Sequence, residues 1–503
     1  MALARIVGAG KWALTRSTRL ALRLVAVFIG LCLLILTVFT IYALAGLPPL
    51  QPWHTEILSE EFSARRDVNM NFAGYLKLED RLFAEMRAKE AHWNRNSIAF
   101  VYSRFNPASR VNRLADGSPY NHSFHLLQPN AVGKALLIHG LTDSPYSMKA
   151  LAESLHAKAF EVTVLRLPGH GTLPSMMTRM NVRDWTAAVR IAARDVATGV
   201  RPGQLFYVGG YSTGGTLALQ YALDSLSDPK PRKPDRVLLV SPAIALPRIA
   251  VVADLLDLLT FIPSAQMQKA RWQSVGAEYD PYKFYSFPIN ATRQVRRATR
   301  DLQSSLEEAA AAGRLAKMPP VLAWQSVVDT TVGADGVADM LFARLHDPRH
   351  KLVLFDVNWL GALGSLQRSG STALIDRLTA GTRGYTLDIV TNATDHDRRV
   401  VRRRLVPNGR VSQVDTSLEW PEALVSVGHV ALPFRPDDPV YGMNPGSGRN
   451  GIPSIGTWSY RGESGAVSVD LGALTRPRSN PFWPLIDRDV AAAIATDRPR
   501  PAP

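Results

Sequence analysis

Cysteine is nearly absent from this chain of 503 residues, which contains only Cys32. A lone cysteine forms no intramolecular disulfide and cannot supply a zinc site built from several thiolates. The sequence also has no internal repeat, no phosphate-binding glycine loop and no dinucleotide-binding fingerprint. These absences exclude disulfide-stapled, zinc-ribbon, solenoid and nucleotide-binding proteins, and we expect neither a metal nor an organic cofactor.

Charged residues are not abundant either, at 20% of the chain against 46% hydrophobic residues. This composition is typical of a globular protein with a large buried core. The formal net charge is +15, and a basic surface can attract anionic lipids or nucleic acids. No nucleic-acid-binding signature accompanies the charge, so we expect no nucleic-acid partner and interpret the basic run 398–404 as a solvated face.

A nearly unbroken apolar run extends from Leu24 to Leu47. It exceeds the roughly 20 residues that a helix needs to cross a bilayer. Five basic residues and no acidic residue precede it, so the positive-inside rule places residues 1–23 in the cytoplasm and the rest of the chain in the periplasm or another extracytoplasmic space. A cleaved signal peptide is the alternative, because Ala43-Leu-Ala45 has the small residues of a cleavage site. The length of the run favours a retained single-pass anchor.

The stretch from Leu205 to Thr216 has the form that a nucleophilic serine requires. Its first residues predict a buried strand, and the residues from Thr216 onward predict a helix. Between them lies Gly210-x-Ser212-x-Gly214. A serine on a sharp strand-to-helix turn needs very small neighbours two positions away, so that strand and helix can approach each other. We therefore predict Ser212 as a nucleophile and Gly210 and Gly214 as the glycines of its elbow.

Three motifs follow one another in an order that is found in a known superfamily. They are His139-Gly-Leu-Thr142, Arg166-Leu-Pro-Gly-His-Gly-Thr172 and Gly210-Tyr-Ser-Thr-Gly-Gly215. In this order they resemble the α/β-hydrolase superfamily, and especially its branch of monoacylglycerol lipases, carboxylesterases and serine aminopeptidases. The resemblance implies an α/β-hydrolase fold, with a mostly parallel, doubly wound sheet and a helical cap insertion. The alternation of predicted strands and helices favours the same fold class independently.

The resemblance also implies an oxyanion hole made of two backbone N–H groups. One would belong to Leu141, in the loop after the strand that ends at His139, and the other to Thr213, directly after the serine. A backbone donor explains why the residue at position 141 can be a plain leucine. We expect His139 to brace this loop rather than to titrate.

The acid and the base are predicted further along the chain. Asp329 follows a predicted strand at the place where the superfamily carries its acid, and His429 ends an apolar run that predicts a last strand. Together with Ser212 they obey the chain order Ser, Asp, His of this fold. His396 is a weaker candidate base, because arginine-rich surface sequence follows it. The long span from Asp329 to His429 implies an insertion around residues 345–415.

The sequence thus predicts a membrane-anchored serine hydrolase that cleaves carboxylic esters, such as acylglycerols or lysophospholipids, through an acyl-enzyme. An acyltransferase, an aminopeptidase and a non-catalytic envelope binding module remain alternatives, and the oligomeric state is not indicated. Antiparallel strands are expected at Ser97–Ser103 and His122–Leu127. The predicted organisation is a basic N-terminus (1–23), an anchor (24–47), a linker with a peripheral helical segment (48–95), a hydrolase domain (96–460) with a cap at 244–318, and a C-terminal extension (461–503) with a disordered end.

Overall fold

The structure of the chain, a computed structural model, is organised around one ten-stranded β-sheet. The residues described are 18–35, 37–38, 47–109, 112, 120–245, 268–360, 373–407, 409–422, 424–443 and 476–498. The strands are β1 (Phe124–Leu126), β2 (Gly133–Ile138), β3 (Phe160–Leu165), β4 (Leu205–Tyr211), β5 (Arg236–Val240), β6 (Trp272–Ser274), β7 (Phe287–Pro288), β8 (Val321–Ser326), β9 (Lys351–Phe355), β10 (Thr386–Asn392), β11 (Arg399–Leu405) and β12 (Val411–Glu419).

Most of the large sheet is parallel. Its central strands lie in the order β3-β2-β4-β5-β8-β9-β10, and every neighbouring pair among them runs parallel. Strand β1 pairs antiparallel with β3 at one edge, and β11 and β12 continue antiparallel from β10 at the other. The mostly parallel α/β sheet and the strand at 122–127 are therefore confirmed. Strands β6 and β7 form a separate hairpin.

Parallel strands need crossover connections, and helices supply them here. The described helices are α1 (Thr18–Ile35), α2 (Pro52–Thr55), α3 (Phe72–Glu90), α4 (Ile98–Val101), α5 (Lys149–His156), α6 (Val182–Thr198), α7 (Thr213–Ser227), α8 (Ile289–Ala311), α9 (Ala373–Ala380) and α10 (Trp483–Asp497).

The central strands are buried on both faces, as in a doubly wound sheet. Because successive side chains of a strand point to opposite faces, Leu136 and Ile138 join one hydrophobic cluster while Ala135 and Leu137 join another. Helices α6, α7 and α8 contribute to the first cluster, and α5 and α10 contribute to the second. The carboxyl ends of the parallel strands are thereby held at one edge of the sheet.

Helix α8 lies within the stretch predicted as the cap, 244–318, but it packs in the core. Its buried residues, including Val295, Leu302 and Leu306, lie in the same cluster as the core side chains of α7. The helix therefore belongs to the core layer, because its apolar face is needed to cover the sheet. The cap prediction then applies to a shorter stretch, of which residues 246–267 lie outside the described ones.

The segment after the apolar run is built into the core instead of lying at its periphery. Tyr75 and Leu78 of α3 are buried in the main cluster. The fully buried Arg166 donates to Glu61 at 2.9 Å and to Glu79 at 3.1 Å. A charge taken out of water needs such partners, since an unpaired buried charge is very costly. Residues 61–79 therefore pack as part of the core that covers the sheet.

Two further expectations differ from the structure. Residues 98–101 form helix α4 and not a strand, because the Ser97 side chain accepts from the Phe100 N–H and caps a helical turn. Helix α10, inside the expected C-terminal extension, buries Trp483 and Ile486 against the sheet. The expected disordered end, 499–503, lies outside the described residues.

The described part of helix α1, Thr18–Ile35, includes residues before the predicted start of the anchor at residue 24. It has 18 residues, is apolar enough to cross a membrane, and none of it is buried. A signal sequence near the N-terminus would meet the same criterion. The part of the apolar run at 39–46 lies outside the described residues.

Candidate active site

The serine elbow joins β4 to α7 at the carboxyl edge of the sheet. Ser212 has φ 53° and ψ −118°, a backbone conformation that a non-glycine residue adopts only under strain. A Cβ on Gly210 would lie 2.2 Å from the carbonyl carbon of Gly214, and a Cβ on Gly214 would lie 2.1 Å from the carbonyl oxygen of Ile138. Both positions therefore admit only glycine, as the sequence motif requires.

Two backbone N–H groups are available near this serine. Thr213 is the first residue of α7, so its N–H has no acceptor within the helix. Leu141 lies in the loop after β2, the neighbour of β4. Within the described part of the chain, no group accepts a hydrogen bond from either N–H. Two such donors, one at a positive helix end, are suited to stabilising a negative oxygen.

His139 braces the loop that carries Leu141. Its Nε2 accepts from the Leu167 N–H at 3.0 Å, so its Nδ1–H donates to the Gly140 carbonyl at 2.8 Å. Burial holds the pKa of His139 well below its ordinary value. The ring is therefore neutral and fixed as one tautomer, and it connects the loops after β2 and β3.

The segment before β7 holds the next residues of this loop. Thr142 has φ 62°, and its carbonyl accepts from the Phe284 N–H at 2.8 Å. The ammonium group of Lys283 lies 3.5 Å from the Asp143 carboxylate. Burial raises the pKa of Asp143, and the charge of Lys283 opposes that rise. The hydrogen bond at Thr142 and the ion pair at Asp143 thus hold this strained part of the loop in place.

Asp329 and His429 form a buried pair. The two atoms His429 Nδ1 and Asp329 Oδ2 lie 2.9 Å apart, which leaves Nε2 of the imidazole available for proton transfer. The His429 ring lies 5.0 Å from the ring of Tyr211, the residue before Ser212. The structure therefore brings the predicted acid and base together beside the elbow.

The Asp329 carboxylate is almost fully satisfied. Its Oδ2 also accepts from Ser241 at 2.6 Å and Gln325 at 2.9 Å, and its Oδ1 accepts from the N–H groups of Thr331 and Val332 at 2.8 and 3.0 Å. Burial alone would raise the pKa of Asp329, but His429 and these donors hold it below its ordinary value. The group remains an anion, as the partner of an imidazolium must.

A local closure explains the long span between the acid and the base. The Asn358 N–H donates to the Val425 carbonyl at 2.7 Å, the Asn358 amide donates to the Leu424 carbonyl at 3.0 Å, and Val357 bridges to Ser426. The chain between these points adds α9 and β10–β12 to the edge of the sheet and returns beside its origin. The insertion expected at 345–415 thus lies at about 359–424.

The return point also changes two expectations about the base. The apolar run before His429 makes a single bridge rather than a last strand. His396 is 88% exposed and lies 3.5 Å from Asp395 at the turn between β10 and β11. It therefore lies at the surface and is not part of the buried pair.

Sequence reasoning missed the residues that support the acid. Ser241 has φ 44° and directly follows β5, while Gln325 precedes the end of β8. Their only sequence signal is a polar residue at the end of a buried strand.

Two further observations concern the surroundings of the site. Tyr282, in the segment before β7, stacks on Tyr146 with 3.9 Å between the ring centroids. Among the described residues, no three His, Cys, Asp or Glu side chains could hold a metal ion.

Comparisons with known proteins agree with this architecture. The family model "Alpha/beta hydrolase family" matches residues 135–441, a range that includes Ser212, Asp329 and His429. A thermostable monoacylglycerol lipase from Bacillus sp. (strain H-257) is 39% identical over 87 residues, which cover 17% of this chain and 34% of the lipase. The chain thus matches about a third of that curated relative's length.

Solved structures give weaker likenesses. A chain from a study of LipS and LipT, two metagenome-derived lipolytic enzymes, is 19% identical, with a TM-score of 0.37, covering 52% of this chain and 97% of that one. The monoacylglycerol lipase of Paleococcus ferrophilus is 20% identical, with a TM-score of 0.34, covering 46% and 88%.

Proposed function

This chain belongs to the alpha/beta hydrolase family, and from that premise we propose that it is a membrane-anchored serine hydrolase that cleaves carboxylic esters. One arrangement carries the proposal. A strained serine at the start of a helix lies next to Tyr211, which in turn lies against the ring of a histidine bonded to a buried carboxylate. Such a set of groups supplies a nucleophile, a general base and an anion that orients the base.

In the proposed reaction, His429 Nε2 accepts the proton of Ser212 Oγ as that oxygen attacks the ester carbonyl. The oxyanion accepts hydrogen bonds from the N–H groups of Leu141 and Thr213. Asp329 stabilises the imidazolium, which then protonates the departing alcohol as the carbon–oxygen bond breaks. Water, deprotonated by His429, attacks the acyl-enzyme, and the acid is released with the serine restored.

The substrate class is proposed from the surroundings of the site. The apolar helix α1 would hold the enzyme at a bilayer, with the catalytic domain on the periplasmic or extracytoplasmic side. The relative from Bacillus is a monoacylglycerol lipase. Acylglycerols or lysophospholipids, which are esters that partition into membranes, fit both observations. This reaction needs no metal or organic cofactor.

The test uses the full chain in detergent. We expect turnover of a short-chain nitrophenyl ester and labelling by a fluorophosphonate probe. Ser212→Ala and His429→Ala should each lower kcat by about 10⁴–10⁶, and Ser212→Ala should abolish the labelling. His396→Ala is the matched control, because this exposed histidine should leave turnover unchanged. Turnover that survives in Ser212→Ala would refute the proposal.

A further inference from the structure

A short connection joins the end of the apolar run to the folded domain. Leu47 ends that run, and α2 already begins at Pro52. Five residues span at most about 18 Å even when extended. The Leu47 carbonyl also accepts from the Lys269 ammonium group at 3.0 Å. The surface around Lys269 is therefore held next to the last residue of the apolar run.

A small cavity opens on this surface. Its volume is about 100 Å³, the space of a few water molecules, which suits a compact polar group and not an acyl chain. None of its described lining residues is acidic. We call it the exit cavity, and its lining is His54, Thr55, Ile57, Thr178, Arg179, Gln268, Arg271 and Trp272.

Two arginines of the exit cavity have no partner among the described residues. Arg179 and Arg271 are exposed, and their guanidinium groups make no hydrogen bond or ion pair with the described residues. His54 adds no charge, because burial lowers its pKa to about 3. Its Nδ1 accepts from the Gln51 N–H and its Nε2–H donates to Ser286. Among the described residues, the cavity thus offers two unpaired guanidinium groups and no competing carboxylate.

Guanidinium forks bind phosphate oxygens with paired, charge-assisted hydrogen bonds. Basic residues at a bilayer surface are also attracted to anionic headgroups. We propose that the exit cavity binds the headgroup phosphate of a membrane phospholipid through Arg179 and Arg271. This inference rests on the membrane anchor of the proposed function, and it adds a ligand site that the hydrolase reaction does not use.

The cavity is also connected to the loop after β2, which carries Leu141. Trp272 lines the cavity and its ring lies 5.1 Å from that of His54, while Ser286 binds the same histidine. Two residues before Ser286, the Phe284 N–H donates to Thr142 beside the oxyanion loop. The exit cavity and the active-site loop therefore share one short segment. A phosphate held in the cavity would therefore lie beside the segment that contacts the active-site loop.

The experiment measures lipid binding without catalysis. Full-length Ser212→Ala protein in a phosphate-free maltoside detergent is melted with increasing dihexanoylphosphatidylglycerol, and the rise in Tm gives an apparent Kd. We expect Arg179→Gln/Arg271→Gln to weaken this Kd at least about tenfold. Arg183→Gln/Arg194→Gln is the matched control, since it removes two exposed arginines of α6 and should bind as the parent does. Arg179→Lys/Arg271→Lys should bind with intermediate strength.

Two further ligands, tested in the same way, identify the source of the phosphate. Dihexanoylglycerol lacks phosphate and can bind only as a substrate would, so any rise in Tm that it causes should be the same with and without Arg179→Gln/Arg271→Gln. Inorganic phosphate at equal ionic strength should act only at much higher concentration. Unchanged binding in the double glutamine variant would overturn the proposal, and so would equal effects of phospholipid and inorganic phosphate. Because Ser212 is absent from these proteins, a failed ester-hydrolysis test and a failed binding test are independent results.

Discussion

Two parts of the candidate site are built in different ways. One is the elbow, residues 210–214, which carries Ser212. The other, which we call the arm, consists of the loop after β8 that carries Asp329 and the segment after β12 that carries His429. The elbow is five consecutive residues, and its shape follows from contacts as short as the 2.1 Å that a Cβ on Gly214 would make. The arm joins residues that are 100 positions apart. Its geometry depends on β8 and β9 and on the bridge between Val357 and Ser426.

This difference shows where the chain accepts change. A strand-to-helix turn has no room for an added atom, so its sequence is nearly dictated. The arm accepts an insertion, because the chain returns from β12 to hydrogen-bond next to its point of departure. The loop that bears the histidine is fixed by that return and not by the length of chain between.

Breaking the elbow should have the largest effect. We expect Gly214→Ala to lose more than about 4 kcal/mol of stability or to fail to fold, because the new Cβ would overlap backbone. Gly428→Ala is the matched control, since its Cβ would meet nothing within 4 Å. Urea unfolding and soluble yield measure both. A folded Gly214→Ala with the wild-type Tm would contradict the steric account.

Removing the negative charge of Asp329 should lower activity and leave the protein folded. Asp329→Asn should lower kcat/KM by about 10⁴-fold, because the imidazole loses the anion that orients it. Asp356→Asn is the control, as this buried carboxyl at the end of β9 binds Trp359 and Thr391 and not the histidine. The measurement is ester turnover of both variants together with their Tm values. We expect similar Tm values and a large loss of turnover in Asp329→Asn alone. Equal losses in both variants would show that the arm responds to any buried charge.

Loosening the return point should have a moderate effect. Asn358→Ala removes the amide that bonds Leu424 and Asn392, and we expect a loss of about 1–3 kcal/mol. The accompanying fall in kcat/KM should be far smaller than for Asp329→Asn. Asn106→Ala, which removes an exposed side-chain bond to Val101, serves as control. An Asn358→Ala protein as inactive as Asp329→Asn would mean that this closure alone positions the base.

The smallest expected effect is a pH dependence of the free energy of unfolding, caused by His350, the residue before β9. His350 accepts from the Val321 N–H at 3.0 Å, and burial lowers its pKa to about 4. Between its folded and ordinary pKa values the unfolded chain binds more protons, so stability falls as the pH drops below about 6.5.

Wild type should therefore lose about 1 kcal/mol relative to His350→Gln between pH 7 and pH 5.5, measured by urea unfolding. His396→Gln, an exposed substitution, should leave the wild-type pH profile unchanged. A stability difference between wild type and His350→Gln that does not vary with pH would show that His350 does not titrate with folding.

The sequence alone determined the features that depend on neighbouring residues. The elbow, the strand ends at His139 and Asp329, the parallel sheet and the apolar run near the N-terminus were all readable, because each arises from local steric demand or from periodicity. The pairing of acid and base was predicted from the order of residue types, and its catalytic role stays a prediction.

Only the tertiary structure decided the rest. Helix α8 became part of the core because its apolar face lies against α7, and the Arg166 ion pairs drew residues 61–79 into the fold. The ends of the insertion meet at Asn358 and Val425. Such contacts join residues far apart in the chain, so no short pattern encodes them, and their free energy appears only when the sheet has assembled.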